Sequence, residues 1–158
     1  MTLLVEKYPY QELSRESING KRLYHTPTGA LPSVTTILSA TKPEKDKLGL
    51  ENWRKAIGEQ RADAICSEAA NRGTRMHKYL ADYVIDGVLK KAGSNPYAKE
   101  AHVMAEEIVN KGMVNVNECW GTEVSLYYPE FYAGTTDLVG EYKGKPAILD
   151  FKQSNKPK

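Results

Sequence analysis

Three residues toward the end of this chain have types and spacing that could do chemistry: Asp137, Asp150 and Lys152. They belong to GTTDLVGEYKGKPAILDFK, residues 134–152, which reads as two short strands joined by a tight Lys143-Gly144 turn. Successive side chains on a strand alternate faces, so Ile148, Asp150 and Lys152 project to one side and Leu149 and Phe151 to the other. An acid and a lysine thus emerge together at a strand end, one hairpin away from a second acid. Carboxylates brought together repel one another unless a cation sits between them, and hard cations such as Mg²⁺ prefer oxygen ligands of this kind. A lysine beside them can position and polarise an attacking water. That is the equipment of metal-assisted phosphodiester hydrolysis. Taken alone, Asp-x-Lys is also the pattern of a solvated strand edge with a surface ion pair.

The elements that must position these groups can be read outward from the hairpin. From Val114 the apolar period becomes two, through VNVNECW and TEVSLYY, which places Glu123, Ser125 and Tyr127 on the face opposite Val124, Leu126 and Tyr128. Glu123 is therefore a third acid, on the strand before Asp137. Tyr127, Tyr128, Phe131 and Tyr132 flank Gly134, where rings could stack on unpaired bases or cover a sheet edge.

Upstream the pattern is helical. Asn95 followed by Pro96 opens a helix whose inward stripe is Ala98, Ala101, Ala105 and Ile108, ending near Gly112. A longer helical pattern runs from about Glu59 to Ile85, with Ala62, Ile65, Ala69, Met76, Leu80 and Val84 on the buried side and Gly73 interrupting it. His77 shares a face with Gly73, Leu80, Ala81 and Val84, so its imidazole points inward; an inward histidine is either a satisfied core residue or a site residue. Arg72, Thr74 and Arg75, on the turn just before it, could hold backbone phosphate or form a solvated face. Before this, Lys42 to Lys47 reads as a polar connection broken by Pro43, and Leu50, Trp53 and Ile57 as the stripe of a core-facing helix. Ser33 is a good N-cap for a helix with Val34, Ile37 and Leu38 on one face, and Thr35 and Thr36 are candidates for a phosphate contact. KRLYHTPTGALP, residues 21–32, reads as a small hairpin turning at Thr28-Gly29. Residues 1–20 show no clear period and receive no role beyond a turn at Asn19-Gly20.

LPSVTTIL (31–38), RGTRMH (72–77), GTEVSLYYPEFYAGTTDLVG (121–140) and LDFKQSNKPK (149–158) together resemble, in order, the PD-(D/E)XK nuclease superfamily. Within it the likeness is to RecB-like exonucleases, the group of the mitochondrial genome maintenance exonucleases and related phage exonucleases. The resemblance implies an α/β fold in which a mixed central sheet, built mostly after residue 114, is flanked by the preceding helices. It implies a deoxyribonuclease dependent on Mg²⁺ or Mn²⁺, acting on single-stranded DNA or DNA ends. Asp137 and Asp150 would be direct ligands, joined by the Phe151 carbonyl, and Lys152 would position the attacking water. His77 and Glu123 would be accessory ligands or their hydrogen-bond partners. Arg72, Thr74, Arg75, Thr35, Thr36, Tyr132 and Gln153 would face the nucleic acid. Family members usually continue past the Asp-x-Lys strand with a further strand and a helix bearing Gln-x-x-x-Tyr, whereas this sequence has six residues after Lys152. The alternative expectation is accordingly a split or truncated, catalytically weak nuclease-fold binder that self-associates or takes a complementing C-terminal segment.

Composition bounds the remainder. At 158 residues with 41% hydrophobic content, one domain is expected: 1–20 without a role, 21–112 mainly helical and 113–158 mainly strands. No apolar run reaches the roughly 20 residues of a membrane span, and MTLLVEKYPY lacks the features of a signal peptide, so an intracellular protein with no membrane partner is expected. Cys66 and Cys119 lack metal spacing, and two free thiols with no iron–sulfur cluster are expected. A net charge of +2 is too small to argue for nucleic acid by itself, so local patches must carry that case.

Overall fold

A computed structural model describes residues 3–154, and the Lys156-Pro157-Lys158 end, after which a further strand and helix are expected, lies outside the described residues. The α/β class read from the sequence holds: α-helices accompany two three-stranded sheets. The chain forms two compact units, one of Tyr10–Ile65 with Ser125–Thr135, the other of Met1–Pro9, Cys66–Val124 and Thr136–Lys158.

The first unit is built on a meander of β1 (Arg15–Ile18), β2 (Lys21–Thr26) and β3 (Gly29–Pro32). Asn19 and Gly20 take the positive φ angles, 51° and 74°, that suit a two-residue hairpin turn. The hairpin expected over 21–32 thus gains a third strand. Helix α1 (Val34–Ala40) is capped by Ser33, whose Oγ accepts the Thr36 amide at 3.0 Å. Helix α2 (Glu44–Ile57) starts directly after Pro43, within the stretch expected to be a connection. Neither helix buries a residue, and Leu38 and Leu50 are exposed, so both apolar stripes read from the sequence are only partly covered. The core of this unit is Tyr24, Leu31 and Ala133, with Leu13 and Tyr127 against it.

Helix α3 (Glu59–Asp86) passes without a break through Gly73, correcting the expected interruption: one glycine costs a 28-residue helix only about 1 kcal/mol relative to alanine. Arg72, Thr74 and Arg75 are therefore helical rather than on a turn. Helix α4 (Pro96–Lys111) has the expected Asn95 cap, accepting the Tyr97 amide at 2.8 Å, and buries Ala98, Ala101 and Ala105. The second sheet runs in the order β4 (Val116–Tyr128), β5 (Tyr132–Tyr142), β6 (Lys145–Leu149), with Lys143 and Gly144 forming the expected turn at φ 50° and 76°. It is smaller than the central sheet anticipated, and a parallel element enters it through an isolated bridge, Leu4 with Cys119. That bridge gives the N-terminal segment a role: Val5 N donates to Cys119 O at 2.7 Å and Leu3 N to Val84 O at 3.1 Å. Met76, Leu80 and Val84 of α3, Ala101 and Ala105 of α4, and Met113, Cys119, Leu138 and Phe151 form one core. Burial raises the Cys119 thiol pKa to about 11, while Cys66 is exposed; both are free.

Candidate active site

β6 pairs with β5 only as far as Leu138 opposite Leu149. Asp150, expected on the strand, lies just beyond its end. Where the ladder stops, a side chain takes over: the Asp137 Oδ2 accepts the Phe151 amide at 2.6 Å, and the Thr136 hydroxyl reaches Leu149 O at 3.4 Å. The alternation of faces nevertheless continues, because the Phe151 ring is 8% exposed in the core while Ile148, Asp150 and Lys152 are exposed. Asp150 and Lys152 emerge side by side as expected, and Lys152 Nζ pairs with the Asp150 carboxylate at 2.9 Å.

His77 approaches this segment from α3. Its Nε2 lies 3.0 Å from Phe151 O and 3.3 Å from Asp137 Oδ2, and its Nδ1 lies 2.7 Å from Gly73 O. Both ring nitrogens thus face oxygen acceptors, which favours the imidazolium. The Asp137 hydrogen bond outweighs burial and, with the Gly73 carbonyl, raises the His77 pKa to about 9. For Asp137 burial works against ionisation, but the His77 and Phe151 hydrogen bonds and the charge of Lys152 overcome it and hold its pKa below the usual carboxylate value.

Of the residues singled out in the sequence, the structure brings together Asp137, Phe151 and His77 and sets Asp150 and Lys152 beside them in sequence on the exposed side. Among the described residues no third histidine, cysteine or acidic side chain joins Asp137 and His77 as a metal-binding group. Glu123, expected as an accessory group, is exposed at a left-handed backbone position in β4, φ 51°. That conformation breaks the alternation read for TEVSLYY. Arg72 is mostly buried and lies 3.4 Å from Glu100, while Thr74 and Arg75 are exposed on α3. Gln153 turns inward, donating from Nε2 to Ala69 O at 2.5 Å. Thr35, Thr36 and Tyr132 belong to the other unit; the two threonine hydroxyls bond Ser33 Oγ at 2.9 and 2.8 Å, and Tyr132 stacks on Tyr128 with centroids 5.8 Å apart. Two contributors received no site role from the sequence. Gly73 supplies the carbonyl that orients His77, and the Thr122 hydroxyl donates to the Asp137 carbonyl at 3.0 Å, anchoring the strand where the acid sits.

Mitochondrial genome maintenance exonuclease 1 of Xenopus tropicalis is 31% identical to this chain across 85% of it, and the Mus musculus protein of that name is 26% identical across 82%. Over most of its own length the chain is similar to these exonucleases. It spans 39% of the length of the Xenopus exonuclease and 38% of the mouse one. No family model matches the chain.

The donors present suit the divalent metal that an exonuclease of this type would imply. Asp137 Oδ2 and Phe151 O are both directed at one cationic group, the His77 Nε2–H, so two oxygens converge on positive charge. Carboxylate and carbonyl oxygens are the donors Mg²⁺ and Mn²⁺ prefer.

Proposed function

We propose that this chain is a nuclease of PD-(D/E)XK type that hydrolyses phosphodiester bonds in DNA with Mg²⁺ or Mn²⁺, acting on single strands or ends. The observation that carries this reading is the convergence of Asp137, the Phe151 carbonyl and His77 immediately beside the Asp150–Lys152 pair. Its relatedness to proteins named as exonucleases supports the same direction.

Asp137, Asp150 and the Phe151 carbonyl would hold the metal, with His77 as an additional ligand or as the hydrogen-bond partner that orients Asp137. When bound, the metal supplies Lewis acidity toward the phosphoryl group and a nucleophilic water at neutral pH. The chain's own contribution is to keep these oxygens charged and fixed. Asp137 stays ionised because His77 and the Phe151 amide donate to it, and Phe151 is gripped at both its amide and its carbonyl. Lys152 is 80% exposed and pairs with an exposed carboxylate, so it can turn to a phosphate oxygen or to the attacking water. Thr74 and Arg75, exposed on α3 three and two residues before His77, would meet the phosphate backbone in this reading.

The test is cleavage of single-stranded and blunt duplex DNA with Mg²⁺, with Mn²⁺ and with EDTA. Cleavage that requires a divalent ion, is lost at least about 10³-fold in Asp137→Asn and Lys152→Ala, and leaves circular dichroism unchanged is the expected result. Loss of fold in both variants would make the cluster a structural ion-pair network instead.

A further inference from the structure

We infer that Gln153 is a positioning residue that fixes the Asp150–Lys152 segment against α3, and that Gly73 is a glycine because it makes room for the Gln153 amide. The inference rests on the hydrolytic reading of the Asp137–His77–Phe151 site.

Strand pairing ends at Leu149, so no ladder holds residues 150–153. Ordering an unpaired segment costs backbone entropy at every residue, and bonds must offset that at each end. At Phe151 they come from Asp137 and His77. On the far side of Lys152 the anchor is Gln153, whose Nε2 donates to Ala69 O at 2.5 Å. That carbonyl lies within a continuous helix, so its second lone pair is available to the side chain.

The fit at this point is close. A Cβ on Gly73 would come within 2.9 Å of Gln153 Nε2 and 3.6 Å of its Cδ. Glycine in a helix interior is less favourable than alanine, so α3 carries a cost that makes sense where the vacated space is used. Ala69, Gly73 and His77 follow one another at intervals of four along one face of α3. The first accepts from Gln153, the second lends space to Gln153 and its carbonyl to His77, and the third meets Phe151 O. Two turns of helix therefore hold the residues on either side of Lys152, the first of which follows Asp150 directly. The sequence suggested a nucleic-acid contact for Gln153; one of its two amide N–H groups is engaged with Ala69 O.

The test compares Gln153→Met, which keeps the length and removes the donor, with Gly73→Ala, Gln153→Ala and the Gly73→Ala/Gln153→Ala double variant, all in the full chain. The first readout is amide hydrogen exchange. Exchange at Phe151 should accelerate about tenfold or more in Gln153→Met and in Gly73→Ala, while the amides of Leu80 and Ala105 keep their protection, the signature of local opening. With single-stranded DNA and Mg²⁺, kcat should fall on the order of 10²-fold while KM changes by less than about twofold. Gly73→Ala should not lower the thermal midpoint, because alanine strengthens the helix. In the Gln153→Ala background it should cost no further activity. Unchanged Phe151 exchange in both single variants, or fully additive losses in the double one, would overturn the anchor. Faster exchange in a chain whose unsubstituted form cleaves no DNA would keep the anchor and remove the hydrolytic reading instead.

Discussion

Asp137 works in two directions at once, accepting the Phe151 amide through Oδ2 and facing the His77 imidazole with the same oxygen. The coupling makes stability depend on pH, and the sign differs for the two partners. His77 has its pKa raised from 6.5 to about 9, so its contribution is fully present below about pH 6.5 and is lost as pH rises through about 9. The Asp137 pKa is lowered, so its contribution is present above the ordinary carboxylate range and is lost as pH falls through the depressed value. Stability is therefore expected to be highest from about pH 4.5 to 6.5. Between pH 6 and 9.5 the thermal midpoint should drop by a few degrees, the equivalent of about 1–2 kcal/mol after discounting for solvent screening. His77→Gln should flatten that limb; a limb unchanged in the variant would show that other groups cause it. At this scale the sequence was informative about identity and poor about partners. Asp137, Asp150 and Lys152 were legible because alternation along an extended segment is a local rule. The inward turn of Gln153 was not, since its acceptor lies 84 positions earlier in the chain.

The elements show the same division between local and distant causes. Turns at Asn19-Gly20 and Lys143-Gly144 and caps at Ser33 and Asn95 were readable, because each is signalled by residue types within four positions of it. The Leu4–Cys119 bridge and the break at Glu123 were not, because they answer to neighbours in space. Two substitutions probe β4 and β5. A Cβ at Gly140 would run into the Glu118 carbonyl on the adjacent strand, so Gly140→Ala should destabilise by about 1–3 kcal/mol, read from thermal melts. Glu123 holds a left-handed φ of 51°, a conformation glycine adopts freely, so Glu123→Gly relieves the backbone and leaves only the loss of the side chain's own interactions to be felt. That variant decides the catalytic standing of Glu123: full cleavage with the fold intact removes it from the site, and cleavage lost with the fold intact restores it.

For the whole molecule the question is how a chain of net charge +2 would hold a polyanion. Part of its positive charge is already engaged: Arg54 with Glu59 and Asp63, Lys78 and Lys90 with Asp82, Lys111 with Glu107, and Lys152 with Asp150. Such exposed pairs are worth at most about 1 kcal/mol each, so phosphate can displace their carboxylates at little cost. Displacement exchanges one screened pair for another, whereas each phosphate neutralised also releases condensed counterions. Binding of single-stranded DNA should therefore weaken with salt, with log K falling by about 0.7 per neutralised phosphate for each tenfold rise in salt. Arg75→Ala should reduce the slope by about that increment, leaving the midpoint of thermal unfolding in place, because Arg75 is exposed on α3 two residues from His77. Titrations by fluorescence anisotropy at four or more salt concentrations, without divalent ions so that no strand is cut, measure both. A flat dependence for the unsubstituted chain would mean that its DNA contacts are not made through phosphates. An unchanged slope in Arg75→Ala would place the phosphate track on another face of the molecule.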